Sequence, residues 1–286
     1  MYHAEILCDS IADGVRLTSL AVTFPRIVLS EQNTHRVFSR NTASSRAIPV
    51  ETRCSAIEEN PFVPSVFGKN KKGMQADELL DAEANAQAEA IWREALADAL
   101  KHARNLAKIG VHKQYANRLT EPFAWVTQIV TATSWDNYFN LRCHKAAQPE
   151  IKVAADLMRD AMAKSTPRKL HAGQWHLPLI TAEDINEAYS RVDDEAVEPL
   201  LAKISVARCA AVSYEKHAIK KTFAEEISRH DSMLSMGHMS PFEHQALVAL
   251  GPSAFAVSSR LAGNFAPPWI QYRKTLRGEE VFTQED

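Results

Sequence analysis

The chain has 286 residues, with 33 Lys plus Arg against 35 Asp plus Glu and a net charge of −2. That balance excludes a dedicated nucleic-acid binder, which carries a strong basic surplus. No apolar run approaches the roughly 20 residues of a membrane span, and Cys8, Cys54, Cys143 and Cys209 show neither paired spacing nor a metal-ligand pattern, so a soluble cytoplasmic protein with reduced thiols is expected.

Leu20 to Leu29 is rich in β-branched and aromatic residues and predicts a strand, with Pro25 marking an edge position or a bulge. Glu51 to Gly73 carries Pro61 and Pro64 without periodicity and reads as a long ordered loop. From Gln75 to about Ile109 apolar residues recur at helical intervals (Leu79, Ile91, Trp92, Leu96, Leu100), predicting one long helix closed by Gly110. At a rise of roughly 1.5 Å per residue such a helix spans about 50 Å, so it crosses a large domain or meets another subunit. Tyr115 to Arg118 and Ala124 to Leu141 read as further helices interrupted near Pro122, and Val153 to Lys164 as a shorter amphipathic one. Ser165 to Pro178 is a connection, Glu183 to Lys203 a helix, Ile204 to Tyr214 a buried strand and Phe223 to Met236 a helix. Gln245 to Val257 predicts a strand and turn around Gly251-Pro252, and Trp269 to Arg273 a core strand with one exposed charge.

Just after the first strand lies Thr34-His35-Arg36-Val37-Phe38-Ser39-Arg40-Asn41-Thr42-Ala43-Ser44-Ser45-Arg46. Guanidinium forks bind phosphate oxygens bidentately and serine hydroxyls add neutral donors, so the cluster suits a phosphorylated ligand, a nucleotide above all. Arg142 closes an apolar helical face, where a charge requires either a salt bridge or a bound anion. Arg118, four residues before Pro122, fits either a surface salt bridge or a phosphate contact. His230, His238 and His244 lack the spacing of a zinc site, and Pro241 would interrupt a shared helix, so no metal is expected.

Four blocks resemble the flavin-dependent thymidylate synthases. His35, Arg36, Ser39, Asn41, Ser44 and Arg46 follow that family's arginine motif, whose leading arginine is Thr34 here. Asn137-Tyr138-Phe139-Asn140-Leu141-Arg142 with Ala147-Gln148-Pro149-Glu150-Ile151 resembles its second segment, Gly237-His238-Met239-Ser240-Pro241-Phe242-Glu243-His244 its Gly-His block, and Ala210-Ala211-Val212-Ser213-Tyr214 its opening strand. In the family the last two elements precede the arginine motif, whereas here they follow it, so the chain reads as circularly permuted, a change tolerated when termini lie close together at the surface.

The resemblance implies an α/β (α+β) fold, a central mixed sheet flanked by long helices, in one elaborated catalytic domain over 1–286: arginine motif and long helices in 1–165, a connection in 165–203, and flavin-facing elements in 204–286. It implies a homotetramer with active sites shared between subunits. Arg142 would contact the pyrimidine's carbonyl edge and stabilise charge developing at carbon five. Glu31, Ser44, Ser45, Arg46 and Arg118 would hold the nucleotide with it, and Thr34, His35, Arg36, Ser39, Asn41, Thr42, Asn137, Ser213, His238 and Ser240 would hold FAD. The implied reaction is reductive methylation of dUMP to dTMP with methylenetetrahydrofolate and NADPH, and no protein nucleophile. Thr34, Glu31 where the family commonly has glutamine, and the permuted order also fit hydroxymethylation of dUMP or dCMP. A non-catalytic nucleotide- or RNA-binding homologue is the remaining alternative.

Overall fold

The computed structural model describes residues 1–73, 75, 76, 78–214, 221–249, 259–276 and 279. It opens on a hairpin that the sequence reading lacks on its first side: β1 (His3–Ala12) pairs antiparallel with β2 (Val15–Pro25). Asp13 and Gly14 turn the chain at φ of 47° and 80°. An Asp-Gly pair suits this turn because both central residues must enter the left-handed region. β2 also pairs with β4 (Trp125–Ala132), β3 (Ser39–Thr42) lines the far side of β4, and β5 (Arg168–Lys169) joins parallel to β1. The result is a five-stranded mixed sheet in the order β3-β4-β2-β1-β5.

A central strand is covered on both faces. Leu20, Val22 and Phe24, alternating along β2, share one face, where they meet Ile151, Ala155 and Met158 of α6 (Pro149–Lys164) and Tyr138 of α5 (Asp136–Arg142). Burial of each large side chain contributes roughly 1.5–3 kcal/mol. On the other face Ile129 packs against Cys209 of α8 (Asp194–Ala210) and Val212 beyond it. Helices thus flank a mixed sheet, as the α/β reading expects. A second, antiparallel sheet of β6 (Trp175–His176), β7 (Ala246–Val248) and β8 (Trp269–Gln271) lies in the later part of the chain.

Several elements differ from expectation. Pro25 ends a central strand, beyond which come a 3-10 turn and the short α1 (Leu29–Asn33), so the arginine motif leaves a helix and becomes strand only at Ser39. Part of the expected loop is α2 (Val50–Glu59), which buries Cys54 and Ile57 against Leu100 and Ala103 of α3. That helix, α3 (Ala82–Lys108), starts at Asp81, whose carboxylate accepts from Ala84 N. Residues upstream are taken by pairing, with Lys69 N donating to Glu78 O and Leu80 N to Phe67 O. Gly110, φ 86°, closes it as expected. Its 27 residues span about 40 Å. Ala124 to Leu141 is strand and helix, β4 then α5, because its first half is β-branched and hydrogen-bonds on both sides. Ile204 to Ala210 is the last part of α8 and Ala211–Tyr214 a 3-10 segment; a largely buried apolar run cannot be told from a strand by period. α7 (Ala182–Tyr189) and α8 are separate helices, and the expected turn at Gly251-Pro252 lies outside the described residues.

The two sheets are joined by a buried polar chain. His244 Nδ1 bonds Thr131 Oγ1 (2.8 Å), which bonds Ser19 Oγ (2.6 Å), then His176 Nε2 (2.9 Å), whose Nδ1 bonds Ser10 Oγ (2.9 Å). Burial holds both histidines neutral, each down to about 3. A neutral imidazole has one donor and one acceptor, so His176 donates through one ring nitrogen and accepts through the other. His35 is likewise pushed down to about 4, by burial first and then by Arg142 and Arg40. All three folded values lie below the ordinary 6.5, so these groups support folding above that pH and lose their contribution as pH falls from 6.5 towards 4. Unfolding at pH 5 should therefore take up about three protons from these sites. The slope of unfolding free energy against pH measures this; a flat profile between pH 6.5 and 4.5 refutes the neutral assignments.

Candidate active site

The residues of the arginine motif divide between two neighbouring arrangements that share α1. In the first, Arg142 at the end of α5 reaches back to the turn after α1. Its Nε donates to His35 Nε2 at 2.9 Å, and its Nη2 to Glu31 O and Thr34 Oγ1, both at 3.1 Å. His35 is buried between Phe38 and Tyr138, with ring centroids 5.9 and 4.8 Å away. Its neutrality makes it an acceptor for a guanidinium, a contact its protonated form would forbid. No salt bridge satisfies Arg142 among the described residues: its acceptors are neutral, and its Nη1 has no partner among them. The arrangement presents an undiminished positive charge fixed on two of its three nitrogens.

From there β3 carries the remaining motif residues along the sheet edge. Ser39 is buried and accepts from Gln271 Nε2 at 2.9 Å, and Thr42 Oγ1 accepts from Gln128 Nε2 at 2.7 Å. Asn41 Nδ2 donates to Cys209 O at 2.6 Å, and its Oδ1 accepts from Ser240 Oγ at 3.4 Å. That bond draws the Gly-His block against the arginine motif. His238 stands exposed in the turn that ends α9 (Phe223–Ser235), where Gly237 at φ 71° closes the helix and His238 N donates to Met233 O. Asn137 is exposed on α5, and Arg36 is exposed beyond His35. The side chains of Asn137, His238 and Arg36 have no hydrogen-bond partner among the described residues. The side chain of Ser213 lies outside the described residues.

The second arrangement centres on a residue that sequence reasoning missed. Glu121 Oε1 accepts from Ser45 Oγ (2.7 Å) and Arg118 Nη1 (2.8 Å), and forms an ion pair with Arg26 Nε (3.0 Å). Arg26, Arg118 and Glu121 border an open groove of about 430 Å³ that is also lined by Leu29, Ser30 and Asn33, with Ser45 buried behind Glu121. Asn117 fixes the adjoining turn by donating to Ser45 O and Ile48 O. Ser44 Oγ accepts from Arg46 N, while the Arg46 guanidinium is exposed. Glu31 turns its carboxylate to Ser30 Oγ, 2.8 Å away, and serves Arg142 through its backbone alone. Arg118 thus has the surface salt bridge open to it, i to i+3, and Arg26 and Glu121 carry no motif that would have singled them out.

The thiols are unsuited to attack. Cys143, beside Arg142, is pushed up to about 11 by burial and by its neighbour Asp156, and remains protonated. Among the described residues no group of three His, Cys, Asp or Glu side chains could hold a metal ion, and no helix is long and apolar enough to cross a membrane.

The family model described as thymidylate synthase complementing protein matches residues 9–168, a span holding the arginine motif, Arg118 and Arg142. The chain belongs to that family. Membership makes it a thymidylate synthase-like enzyme of pyrimidine nucleotides. Two solved structures are similar: the UMP/dUMP methylase PolB from Streptomyces cacaoi bound with 5-Br dUMP, at 15% identity over 57% of this chain and 90% of that one with a TM-score of 0.48, and the same protein bound with 5-Br UMP, at 16% over 57% and 89% with a TM-score of 0.49. No curated protein matches the chain. Within this match to the thymidylate synthase complementing family, residues 34–46 and 137–142 fall inside the matched span, and residues 237–244 lie beyond it.

Proposed function

We propose that this chain reductively methylates dUMP to dTMP, with FAD, methylenetetrahydrofolate and NADPH. The observation that carries the reading is Arg142: a guanidinium held by neutral acceptors, with Nη1 free among the described residues, suits a pyrimidine carbonyl that gains negative charge as carbon five becomes nucleophilic. Reduced flavin, when bound, supplies hydride and relays the one-carbon unit, which removes the need for an activated cysteine. The exposed, unpartnered Asn137, His238 and Arg36, with Ser240 and Asn41 between the two blocks, fit a polar cofactor, and Ser44, Ser45, Arg46 and Arg118 fit the nucleotide's phosphate. The same reading takes the chain as a circular permutant, supported by Ser240 and Gln271 meeting Asn41 and Ser39 across a long sequence separation. It also takes the enzyme as a homotetramer with shared sites.

A second reading, hydroxymethylation of dUMP or dCMP, is favoured by Thr34, which puts a hydroxyl where a family cation would stand and gives that hydroxyl to Arg142 as an acceptor. Mass spectrometry of the nucleotide product decides between them. A gain of one methyl on dUMP supports methylation; a product heavier than that by one oxygen supports hydroxymethylation; unchanged dUMP and dCMP with flavin bound sink both.

A further inference from the structure

Glu121 stands in an unusual place for a carboxylate, at the centre of a group of cations. One of its oxygens takes hydrogen bonds from Arg118 and Ser45 and an ion pair from Arg26 at 3.0 Å, all at once. A carboxylate oxygen has two lone pairs, so three donors on one oxygen exceed what it accommodates well, whereas a phosphate monoester offers three terminal oxygens and nearly two charges. The cations also outnumber the anion. Arg53 lies behind the pair, 6% exposed, with Nε on Thr120 Oγ1 at 2.8 Å and Nη2 buried without a partner among the described residues. Arg26 and Arg118 repel it and Glu121 attracts it, so the three guanidiniums lean on a single carboxylate. Arg26 is itself largely buried, its side chain 11% exposed, and its burial disfavours its charge. Such a cluster needs more negative charge than Glu121 provides, and the adjoining groove is of the size that holds small ligands.

We propose that the Glu121 carboxylate is an internal stand-in for the nucleotide's phosphate, which displaces it from Arg26, Arg118 and Ser45 on binding. The identity of the anion rests on the nucleotide reading above; the displacement rests on the geometry alone. Glu121 keeps the guanidiniums apart and ordered in the free protein, and it weakens phosphate binding by competing for the same donors. Arg26, which no motif marks, becomes a phosphate ligand.

Glu121→Gln tests this, because it keeps the shape and an acceptor oxygen while removing the charge. Titration calorimetry with inorganic phosphate, dUMP and deoxyuridine should show phosphate and dUMP binding about tenfold tighter than in the parent, equivalent to about 1.4 kcal/mol, with deoxyuridine unchanged. Glu121→Leu should rank in the same direction, and melting curves establish that both variants are folded. Phosphate affinity that is unchanged or weaker in both variants overturns the proposal, because Glu121 would then position Arg118 instead of competing with its ligand. Failure of the nucleotide reading would register separately, as absence of product from dUMP with the parent enzyme, and would leave the ranking by inorganic phosphate as it stands.

Discussion

Replacing Arg142 with alanine should lower kcat by about 10² to 10³, the usual effect of removing one donor aimed at developing charge. FAD absorbance should be retained, since of the residues assigned to the cofactor only Thr34 and His35 lose a bond to Arg142, while Asn137, His238 and Arg36 are untouched. Lysine should not rescue: a single ammonium cannot hold His35 Nε2 and Thr34 Oγ1 and still present a nitrogen to the ring, whereas the guanidinium has three nitrogens for three tasks. Because Arg142 also ties α5 to the turn after α1, the melting temperature should be recorded alongside turnover. A folded, flavin-loaded Arg142→Ala enzyme with turnover within a few-fold of the parent would remove this residue from the chemistry.

The largest effect on stability should come from Arg208. Its guanidinium bonds Asp184 through Nη1 and Nη2 (2.5 and 2.8 Å), Glu226 through Nε and Nη2 (2.8 and 3.2 Å) and Leu179 O (2.7 Å), joining α7, α8 and α9. Both carboxylates are buried, at 2% and 7% side-chain exposure. Arg208→Leu strands two negative charges in the interior, and loss of one partner of such a network costs about 3–5 kcal/mol. Denaturant midpoints at unchanged slope measure it. Adding Asp184→Asn and Glu226→Gln should return much of the loss, because the penalty is that of unpaired charge. Burial acts to raise Asp184, but bonds from Arg208 and Thr181 outweigh it and hold the carboxyl at about 2. Its contribution is therefore full above the ordinary value near 3.8 and lost as pH falls from there to about 2. A Leu variant as stable as the parent would show that the triad contributes little.

How legible the chain was depended on which interactions are local. The long helix could be read because Ala, Glu and Leu recur over many turns, and Gly110 ends it by its own conformational freedom. α9 was equally plain, Thr222 and Glu225 forming a capping box within four residues. β4 and the later part of α8 were misread because their identity is decided at a distance: β4 becomes a strand by pairing with β2 and β3, and the apolar run from Ile204 is helical in a largely buried setting. The arginine motif was legible as a motif, yet nothing in it foretold that His35 would be buried and neutral beneath Arg142. Glu121 was illegible for the same reason as β4. A lone glutamate before Pro122 has no meaning until folding brings Arg26 and Ser45 to it.

β3 has one further property. It is the outermost strand of the five-stranded sheet, the position at which unpaired backbone groups invite strands from other molecules. It is four residues long and polar throughout, with a charge at Arg40, and Ser240 of the Gly-His block is bonded across Asn41. The side chains that would greet a ligand are therefore the same ones that deny a neighbouring protein a template. Substitutions that make this edge longer, flatter or more apolar would trade ligand recognition for aggregation, so the chemistry of the site and the colloidal behaviour of the protein are set by one short segment.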